Sequence, residues 1–332
     1  MPRQPMHVLS RRGFLQAAAA ATVGAAVLPR LTGSARDTPL RLSLDHAAFG
    51  GGAGAAVRRP AIRLGYAAIT WGGRDDQAVE DIASLGFRGI QLRASAVERW
   101  GARPDDLRRL LEQKGLRLQV LSSGSLDADP AKKAEYLETH LKHARFVKAV
   151  GGEYLQVLSR RDEGGTSTAA EYVRLGELLN ELGRRTRALG VPLVYHNHLR
   201  ALSERPEELV KVMDATDPKA VGLLFDIAHY QQGGGDAVKG LLRHKDRVTA
   251  LHLKDVASPG AGAGQAPLYD YKWVELGRGK VDVKGVMATL RSLEWSGPAI
   301  IELDSVTAPA LSPRDCAAIN KQYALDTLGL SL

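Results

Sequence analysis

The sequence has one cysteine, Cys316, in 332 residues. A single thiol cannot form an intramolecular disulfide, and it cannot build a zinc site from several cysteine ligands. Any metal that the chain binds must therefore be held by oxygen atoms and imidazole rings. Long apolar runs are also missing, because residues 17–28 give an apolar run of only 12 residues, whereas a membrane-spanning helix needs about 20. A transmembrane protein is not expected.

The chain has no strong excess of either charge. Lysine and arginine number 45, aspartate and glutamate 37, and the formal net charge is +8. Residues 1–35 hold four arginines and no acidic residue, which leaves +4 for the remainder. An excess this small does not indicate a nucleic-acid-binding protein. With 44% hydrophobic and 25% charged residues, the composition is typical of a globular protein and argues against disorder or a coiled coil.

The N-terminal residues have the pattern of a targeting segment. Ser10-Arg11-Arg12-Gly13-Phe14-Leu15 precedes the apolar run, which leads to the small residues Gly33-Ser34-Ala35. The pattern resembles a twin-arginine export signal, which implies a signal peptide at residues 1–35 and a periplasmic or extracellular protein carried out already folded by the twin-arginine translocase. A basic start followed by a buried Ala-rich helix is the alternative. Residues 36–60 show no helical or strand period and are interpreted as a linker.

From residue 62 onward, short apolar runs alternate with amphipathic stretches in eight rounds. This alternation predicts parallel strands with helical crossovers, and therefore an α/β fold, a (β/α)8 TIM barrel over residues 61–332. A doubly wound sheet gives a similar pattern and remains the alternative. The predicted strands are 62–68, 89–92, 116–121, 154–158, 192–195, 221–225, 248–253 and 299–301. The predicted helices are 76–85, 104–114, 131–150, 169–189, 206–213 and 283–293, with a last helix capped by Ser312 and starting at Pro313.

Polar residues stand where the apolar runs stop, which is where a parallel barrel carries its ligand-binding groups. The first four runs end mostly in neutral, hydrogen-bonding groups, namely Thr70-Trp71, Gln91 with Arg93, Ser122-Ser123, and Gln156 with Ser159. The last four end in His196-Asn197-His198, Asp226 with His229, His252 with Lys254 and Asp255, and Glu302 with Asp304. Four of the nine histidines thus fall at strand ends, on the same rim as the carboxylates of Asp226 and Glu302. These groups predict one divalent metal, and they do not distinguish Mn, Co, Zn, Fe or Mg.

Three motifs arrive in order at successive strand ends: Phe225-Asp226-Ile227-Ala228-His229, Leu251-His252-Leu253-Lys254-Asp255 and Ile300-Ile301-Glu302. With weaker support from residues 86–92 and 276–279, they make residues 63–328 resemble the xylose-isomerase-like TIM-barrel superfamily. This group contains sugar isomerases, sugar epimerases, inosose dehydratases and endonuclease-IV-type repair enzymes. The resemblance implies that Asp226, His252 and Glu302 are metal ligands and that His229 contacts substrate beside the metal. Relatives often pair, so a homodimer is possible.

The fifth strand departs from the epimerase pattern. Where a glutamate normally serves as ligand and base, this sequence has Tyr195-His196-Asn197-His198. His196 occupies the matching position and is the predicted fourth metal ligand, although His198 would point the same way if the strand continued. The Tyr-His-x-His form is similar to that of inosose dehydratases, which implies elimination or enolisation next to a carbonyl. Gln91, where many relatives carry glutamate, is a predicted substrate contact.

The predicted reaction is isomerisation, epimerisation or dehydration of a sugar or polyol through an enediolate, formed when a base removes a proton next to a carbonyl. Glu302, His198 or His229 is the expected base. Lys254 is expected to stabilise the oxyanion, with a simple pairing to Asp255 as the alternative. Trp71 is expected to stack on a sugar ring or else to pack in the core.

Two other functions fit parts of the pattern. A catalytically silent carbohydrate-binding barrel would keep the fold while its fifth strand diverged. An endonuclease-IV-like repair enzyme would need more His and Glu ligands from the early strands, which offer Gln91, Ser122 and Gln156 instead. Export would also separate the protein from chromosomal DNA, so no nucleic-acid partner is expected.

Overall fold

Eight parallel strands close into a barrel in the computed structural model, which describes residues 61–161, 167–258 and 268–332. The strands are β1 (Ile62–Ala67), β2 (Gly89–Arg93), β3 (Arg117–Leu126), β4 (Tyr154–Ser159), β5 (Leu193–His196), β6 (Val221–Asp226), β7 (Val248–Leu253), β8 (Asp255–Ala257), β9 (Lys272–Val274) and β10 (Gly297–Ile301). β8 and β9 form a separate antiparallel hairpin, and β10 closes the barrel between β7 and β1. Closure confirms the TIM barrel and excludes a doubly wound sheet. The predicted signal peptide, 1–35, and linker, 36–60, lie outside the described residues.

Helices follow most of the barrel strands. The α-helices within the described residues are α1 (Asp75–Ser84), α2 (Ser95–Trp100), α3 (Pro104–Gln113), α4 (Lys133–Val150), α5 (Ala169–Ala188), α6 (Pro206–Asp214), α7 (Ile227–Gln232), α8 (Ala237–His244), α9 (Val283–Ser292) and α10 (Pro313–Asp326). α10 begins as predicted, with the Ser312 side chain accepting the Asp315 N–H. The sequence pattern missed α2, α7 and α8, because helices of six to eight residues are too short to show a clear period. None of the described helices is both long and apolar enough to cross a bilayer.

A layer of small and branched side chains fills the inside of the barrel. Its fully buried members are Ala67, Val120, Val194, Leu224, Ala250 and Ile300. Since side chains on a strand alternate between two faces, the residues two positions further along face the same interior at the C-terminal mouth. Those residues include Ser122, His196, Asp226, His252 and Glu302. The apolar layer therefore forms the floor beneath the polar residues of the mouth.

Asp255 organises the loop beside the mouth. Its Oδ1 accepts the N–H groups of Val256 and Val281, and its Oδ2 accepts those of Gly277 and Gly279, at 2.8–3.1 Å. A carboxylate with four backbone donors is satisfied without a cation. A Cβ at position 279 would lie 2.2 Å from Asp255 Oδ1, so this close approach requires glycine.

We expect His244→Phe to reduce the loss of stability in acid. His244 is 6% exposed, lies near Phe225 and Tyr230, and has a buried Nε2 without a hydrogen-bond partner among the described residues. Burial, followed by nearby arginine charges, lowers its pKa from 6.5 to about 4. Between about pH 6.5 and 4, His244 is therefore protonated in the unfolded chain but neutral in the folded protein. The unfolding free energy is highest above pH 6.5 and falls as the pH drops towards 4.

Urea unfolding at pH 7 and pH 5 tests this expectation. Between these two pH values the wild-type protein should lose about 2 kcal/mol more unfolding free energy than His244→Phe. Lys245→Gln, at the exposed next position, should behave as the wild type does. Equal losses in the wild type and His244→Phe would contradict the assignment.

Candidate active site

Four predicted ligands converge at the C-terminal mouth of the barrel. His196 and Asp226 end β5 and β6, His252 lies near the end of β7, and Glu302 follows β10. Asp226 Oδ2 lies 3.3 Å from His252 Nδ1 and 3.5 Å from His196 Nε2, and Glu302 Oε1 lies 3.5 Å from His252 Nδ1. In the described part of the chain, candidate ligand atoms within 4.8 Å of one another form two buried groups, Asp226-His252-Glu302 and His196-Asp226-His229. The structure thus brings the predicted ligands together.

Gln91, on β2, contacts the same centre. Its Nε2 donates to Glu302 Oε2 at 3.1 Å, and its Oε1 accepts from His252 Nε2 at 2.9 Å. With Nε2 donating to Gln91, the other ring nitrogen of His252, Nδ1, faces oxygens of Asp226 and Glu302. An imidazole nitrogen and two carboxylate oxygens are ligands that divalent metals take in proteins, so this donor set fits a divalent metal. Both ends of the Gln91 amide contact candidate ligands, and the predicted substrate contact of Gln91 stays a prediction.

The fifth strand favours His196 over His198 as the fourth ligand. β5 ends at His196, so His198 leaves the strand and belongs to neither group of candidate ligands. The Gln156 amide lies 2.9 Å from His196 Nδ1, while Gln156 Oε1 and His196 Nε2 are both buried without a hydrogen-bond partner among the described residues. Turning the amide so that Oε1 accepts the Nδ1–H would satisfy Gln156 and leave the His196 Nε2 lone pair for a metal. The turned amide would thus partner Gln156 Oε1, and a bound cation would account for the unpartnered His196 Nε2.

Burial and neighbouring charges set the protonation of the site. Burial raises the pKa of Asp226, but the nearby His229 and two further histidines outweigh it and hold that pKa well below its usual range. Burial also raises the pKa of Glu302, but His252 and Lys254 outweigh it and bring the pKa to about 2. Burial lowers the pKa of His229 well below its usual value. At neutral pH both carboxylates are therefore charged and His229 is neutral.

The rings of His198 and His229 lie against each other, with centroids 3.8 Å apart and planes tilted by 38°, and they differ in hydrogen-bonding role. The Leu199 N–H donates to His229 Nδ1 at 3.2 Å, so a neutral His229 carries its proton on Nε2. His198 Nδ1 contacts the Leu199 carbonyl, which can only accept, so the lone pair of His198 is on Nε2. Burial lowers the pKa of His198 to about 4. His229 thus offers a donor and His198 a free base.

Lys254 is fully buried directly after β7. Its Nζ donates to Glu302 Oε1 at 3.0 Å and to Asp304 Oδ1 at 2.6 Å. The alternative pairing of Lys254 with Asp255 is wrong, because backbone N–H groups occupy both oxygens of Asp255. Lys254 Nζ also lies 3.5 Å from His229 Nε2. Since both atoms are donors, the position between them suits an oxygen that accepts from both.

Trp273, not Trp71, is the tryptophan beside this centre. Trp71 is 1% exposed, and its indole N–H donates to Asp81 Oδ2 at 2.8 Å within the core. These contacts favour the core-packing alternative for Trp71. Trp273, on β9, packs against His229 with ring centroids 4.7 Å apart, and its ring lies 4.2 Å from Lys254 Nζ. Trp273 therefore forms an aromatic wall of the site.

Two tyrosines hold this wall in place. Tyr271 packs on Trp273 with centroids 4.6 Å apart, the Tyr269 hydroxyl donates to Glu204 Oε2 at 2.8 Å, and the Arg200 guanidinium lies 4.8 Å from the Tyr269 ring. These contacts join the segment leading into β9 to the loop after β5. Sequence reasoning missed Trp273. The available signal was three alternating aromatics within five positions of a chain that is 5% aromatic.

The chain is similar to known proteins along most of its length. Residues 79–322 match the family described as xylose isomerase-like TIM barrel. The inosose dehydratase of Geobacillus kaustophilus (strain HTA426) is 28% identical over 291 residues, covering 79% of this chain and 93% of the relative. That of Lacticaseibacillus casei is 25% identical over 299 residues, covering 81% and 98%.

Two solved structures share the fold. The IOLI protein with a bound zinc atom has a TM-score of 0.69 at 17% identity and covers 81% of this chain and 98% of its own. The D-allulose 3-epimerase of Methylomonas sp. has a TM-score of 0.63 at 19% identity and covers 80% and 97%. At such identities the likeness is one of fold.

Proposed function

Because the chain belongs to the xylose isomerase-like TIM barrel family, we propose that it is a divalent-metal-dependent enzyme that isomerises, epimerises or dehydrates a sugar or polyol. The reaction begins with removal of a proton next to a carbonyl and passes through an enediolate. The observation that carries this proposal is the convergence of buried imidazoles and carboxylates at the barrel mouth. The inosose dehydratases and the epimerase with the same fold support sugar chemistry.

His196, Asp226, His252 and Glu302 would hold the metal. Bound there, the ion would act as a Lewis acid that polarises a substrate carbonyl and stabilises developing negative charge. Imidazole and carboxylate ligands suit Zn, Mn, Co, Fe or Mg, so the donor set alone does not choose the ion. Gln91 would keep the His252 ring in the required orientation.

His198 is the base that we favour. Its neutral ring has a free Nε2, whereas the pKa of Glu302, about 2, makes that carboxylate a weak base, and both its oxygens already accept from Lys254 and Gln91. His229, assigned as a donor, would hold a substrate oxygen through Nε2–H rather than remove a proton. In a dehydration, the same N–H would assist the departing hydroxyl group.

Lys254 and Trp273 would bind the substrate around the reacting carbon. Lys254 Nζ has two of its three protons committed to Glu302 and Asp304, and the third is available to an oxyanion that also accepts from His229. The ring of Trp273 offers an apolar face to the C–H face of a sugar ring. These roles require no early-strand ligand of the kind that a repair endonuclease would use.

We also propose that the enzyme works outside the cytoplasm on free sugars, polyols or their glycosides. The support is the Arg11-Arg12 pattern before an apolar run, and the twin-arginine translocase is the partner that it implies. Pairing of two copies as a homodimer remains a prediction from the resemblance alone.

Elemental analysis and proton exchange in deuterated water test the proposed function. The purified protein should contain about one divalent metal per chain and should exchange a proton into a member of a panel of ketoses, inososes and 3-keto sugars. Chelation should lower that exchange on the order of 100-fold or more, and the added ion should restore it. Full exchange by metal-free protein would refute the proposal. Absence of both metal and exchange would favour the silent carbohydrate-binding barrel.

A further inference from the structure

The barrel mouth has a second half that the proposed chemistry does not use. The candidate ligands come from β5, β6, β7 and the end of β10, whereas a cavity of about 270 Å³ lies at the ends of β1, β2 and β3. Its size approaches the lower end of the range for small-molecule sites, about 300 Å³. The lining residues include Gly73, Arg93, Glu98, Ser122 and Gly124.

Strand register places this cavity directly beyond the reacting centre. Arg93 follows Gln91 by two residues on β2, Ser122 follows Val120 by two on β3, and Arg93 and Ser122 are register partners. Side chains two apart share a face, so Arg93 and Ser122 face the barrel interior, as Gln91 and Val120 do. The rise of about 3.3 Å per residue puts Arg93 roughly 7 Å beyond Gln91 along the strand. Gln91 itself contacts the ligand His252.

The cavity offers both donors and acceptors. The Arg93 guanidinium is exposed and has neither a hydrogen-bond nor an ion-pair partner in the described residues. Ser122 can donate or accept, and the Glu98 carboxylate accepts. One positive and one negative group suit an uncharged polyhydroxylated ligand better than a phosphate or carboxylate. Gly73 and Gly124 have φ of +89° and +101°, and a Cβ on either would meet nothing within 4 Å, so the floor stays open.

We propose that this cavity binds a second sugar ring, and that the substrate is a glycoside rather than a free monosaccharide. The inference rests on the proposed function, because the reacting ring lies at His252 and Glu302 while the second ring extends towards β2 and β3. Arg93 is the specificity-determining residue, since it donates to the hydroxyls of the second ring. A lone ketose leaves the guanidinium without a ligand.

The test compares each ketose with its glycosylated form, for example D-fructose with lactulose, in the deuterium-exchange assay. The wild type should prefer the glycosylated member of the reactive pair in kcat/KM. Arg93→Met should lower kcat/KM for that member about 10- to 100-fold, the factor for losing hydrogen bonds to a charged group, mainly through KM. For the free ketose, the kcat/KM of Arg93→Met should stay within about twofold of the wild-type value. Arg184→Met, an exposed arginine of α5, is the matched control and should change neither.

A second measurement separates this inference from the proposed function. Saturation-transfer NMR of lactulose with metal-free protein should show strong contacts to the galactosyl protons, and these should vanish in Arg93→Met and persist in Arg184→Met. Exchange without a preference for the glycoside, or with equal effects of Arg93→Met on both sugars, would overturn the inference and leave the proposed function intact. No exchange with any pair would overturn the proposed function. The NMR measurement would then test the second-ring site by itself. Galactosyl contacts that are unchanged in Arg93→Met would refute that site.

Discussion

Asp226→Asn will reduce bound metal to near zero and lower activity on the order of 1,000-fold or more. One carboxylate oxygen faces His196 and His252, and the other accepts the N–H groups of Ala228 and His229 at 2.9 and 2.8 Å as the cap of α7. An asparagine carbonyl preserves this cap, but the substitution removes the negative charge that would hold the ion. The variant should therefore fold normally but lose metal binding and activity.

Two further variants separate the ligand role from the capping role. Asp226→Ala also loses the cap, which should cost about 1 kcal/mol of unfolding free energy relative to Asp226→Asn, measured on metal-free protein. Asp236→Asn makes the same change at the N-cap of α8, where Asp236 accepts the Lys239 N–H, and should keep both metal and activity. Elemental analysis, urea unfolding and proton exchange are the measurements. One metal per chain and undiminished exchange in Asp226→Asn would remove the basis of the proposed metal centre.

Lys254→Met will destabilise the fold by about 3–5 kcal/mol and reduce exchange about 100-fold or more. The Lys254 ammonium is fully buried and donates to both Glu302 and Asp304. Methionine has a similar shape but no charge, so the substitution leaves two carboxylates near each other without their shared cation. The exchange reaction would also lose the donor that faces the developing oxyanion beside His229.

The stability and activity effects of Lys254 can be separated. Removing one of the two carboxylates together with the cation, in Lys254→Met/Asp304→Asn, should recover part of the lost stability without recovering exchange. Lys239→Met, at an exposed ion pair with Asp236, should change neither property measurably. Urea unfolding and the exchange assay are run on all variants. A Lys254→Met protein as stable and active as the wild type would contradict both the buried network and the oxyanion role.

Much of the fold and the candidate ligand set could be predicted from local pattern. Parallel strands buried on both faces are short apolar runs, and all eight predicted strands overlap the barrel strands within a few residues. The polar residue at the end of such a run must lie at one rim, so His196, Asp226, His252 and Glu302 could be grouped before any distance was known. The sequence pattern did not predict the short helices or the β8–β9 hairpin, because elements of three to eight residues show too little periodicity.

Partner choice could not be predicted, because it depends on contacts between residues far apart in the chain. Lys254 is adjacent in sequence to Asp255 but bonds to Glu302 and Asp304, since the backbone of a later loop saturates Asp255. Trp71 follows the first predicted strand, whereas Trp273 lies between the predicted strands 248–253 and 299–301. Only the packed structure buries the first against Asp81 and leaves the second facing the site.

The sequence by itself determined the barrel, the rim on which the chemistry lies and the types of ligand available there, because these follow from strand period and residue chemistry. Only the tertiary structure decided which nitrogen of each histidine is free, which tryptophan faces the site and where Arg93 stands beyond Gln91. The physical reason is that a hydrogen-bond partner fixes a tautomer and an orientation. Such partners, for example the Leu199 N–H for His229 and the Gln91 amide for His252, meet their histidines only when the barrel closes.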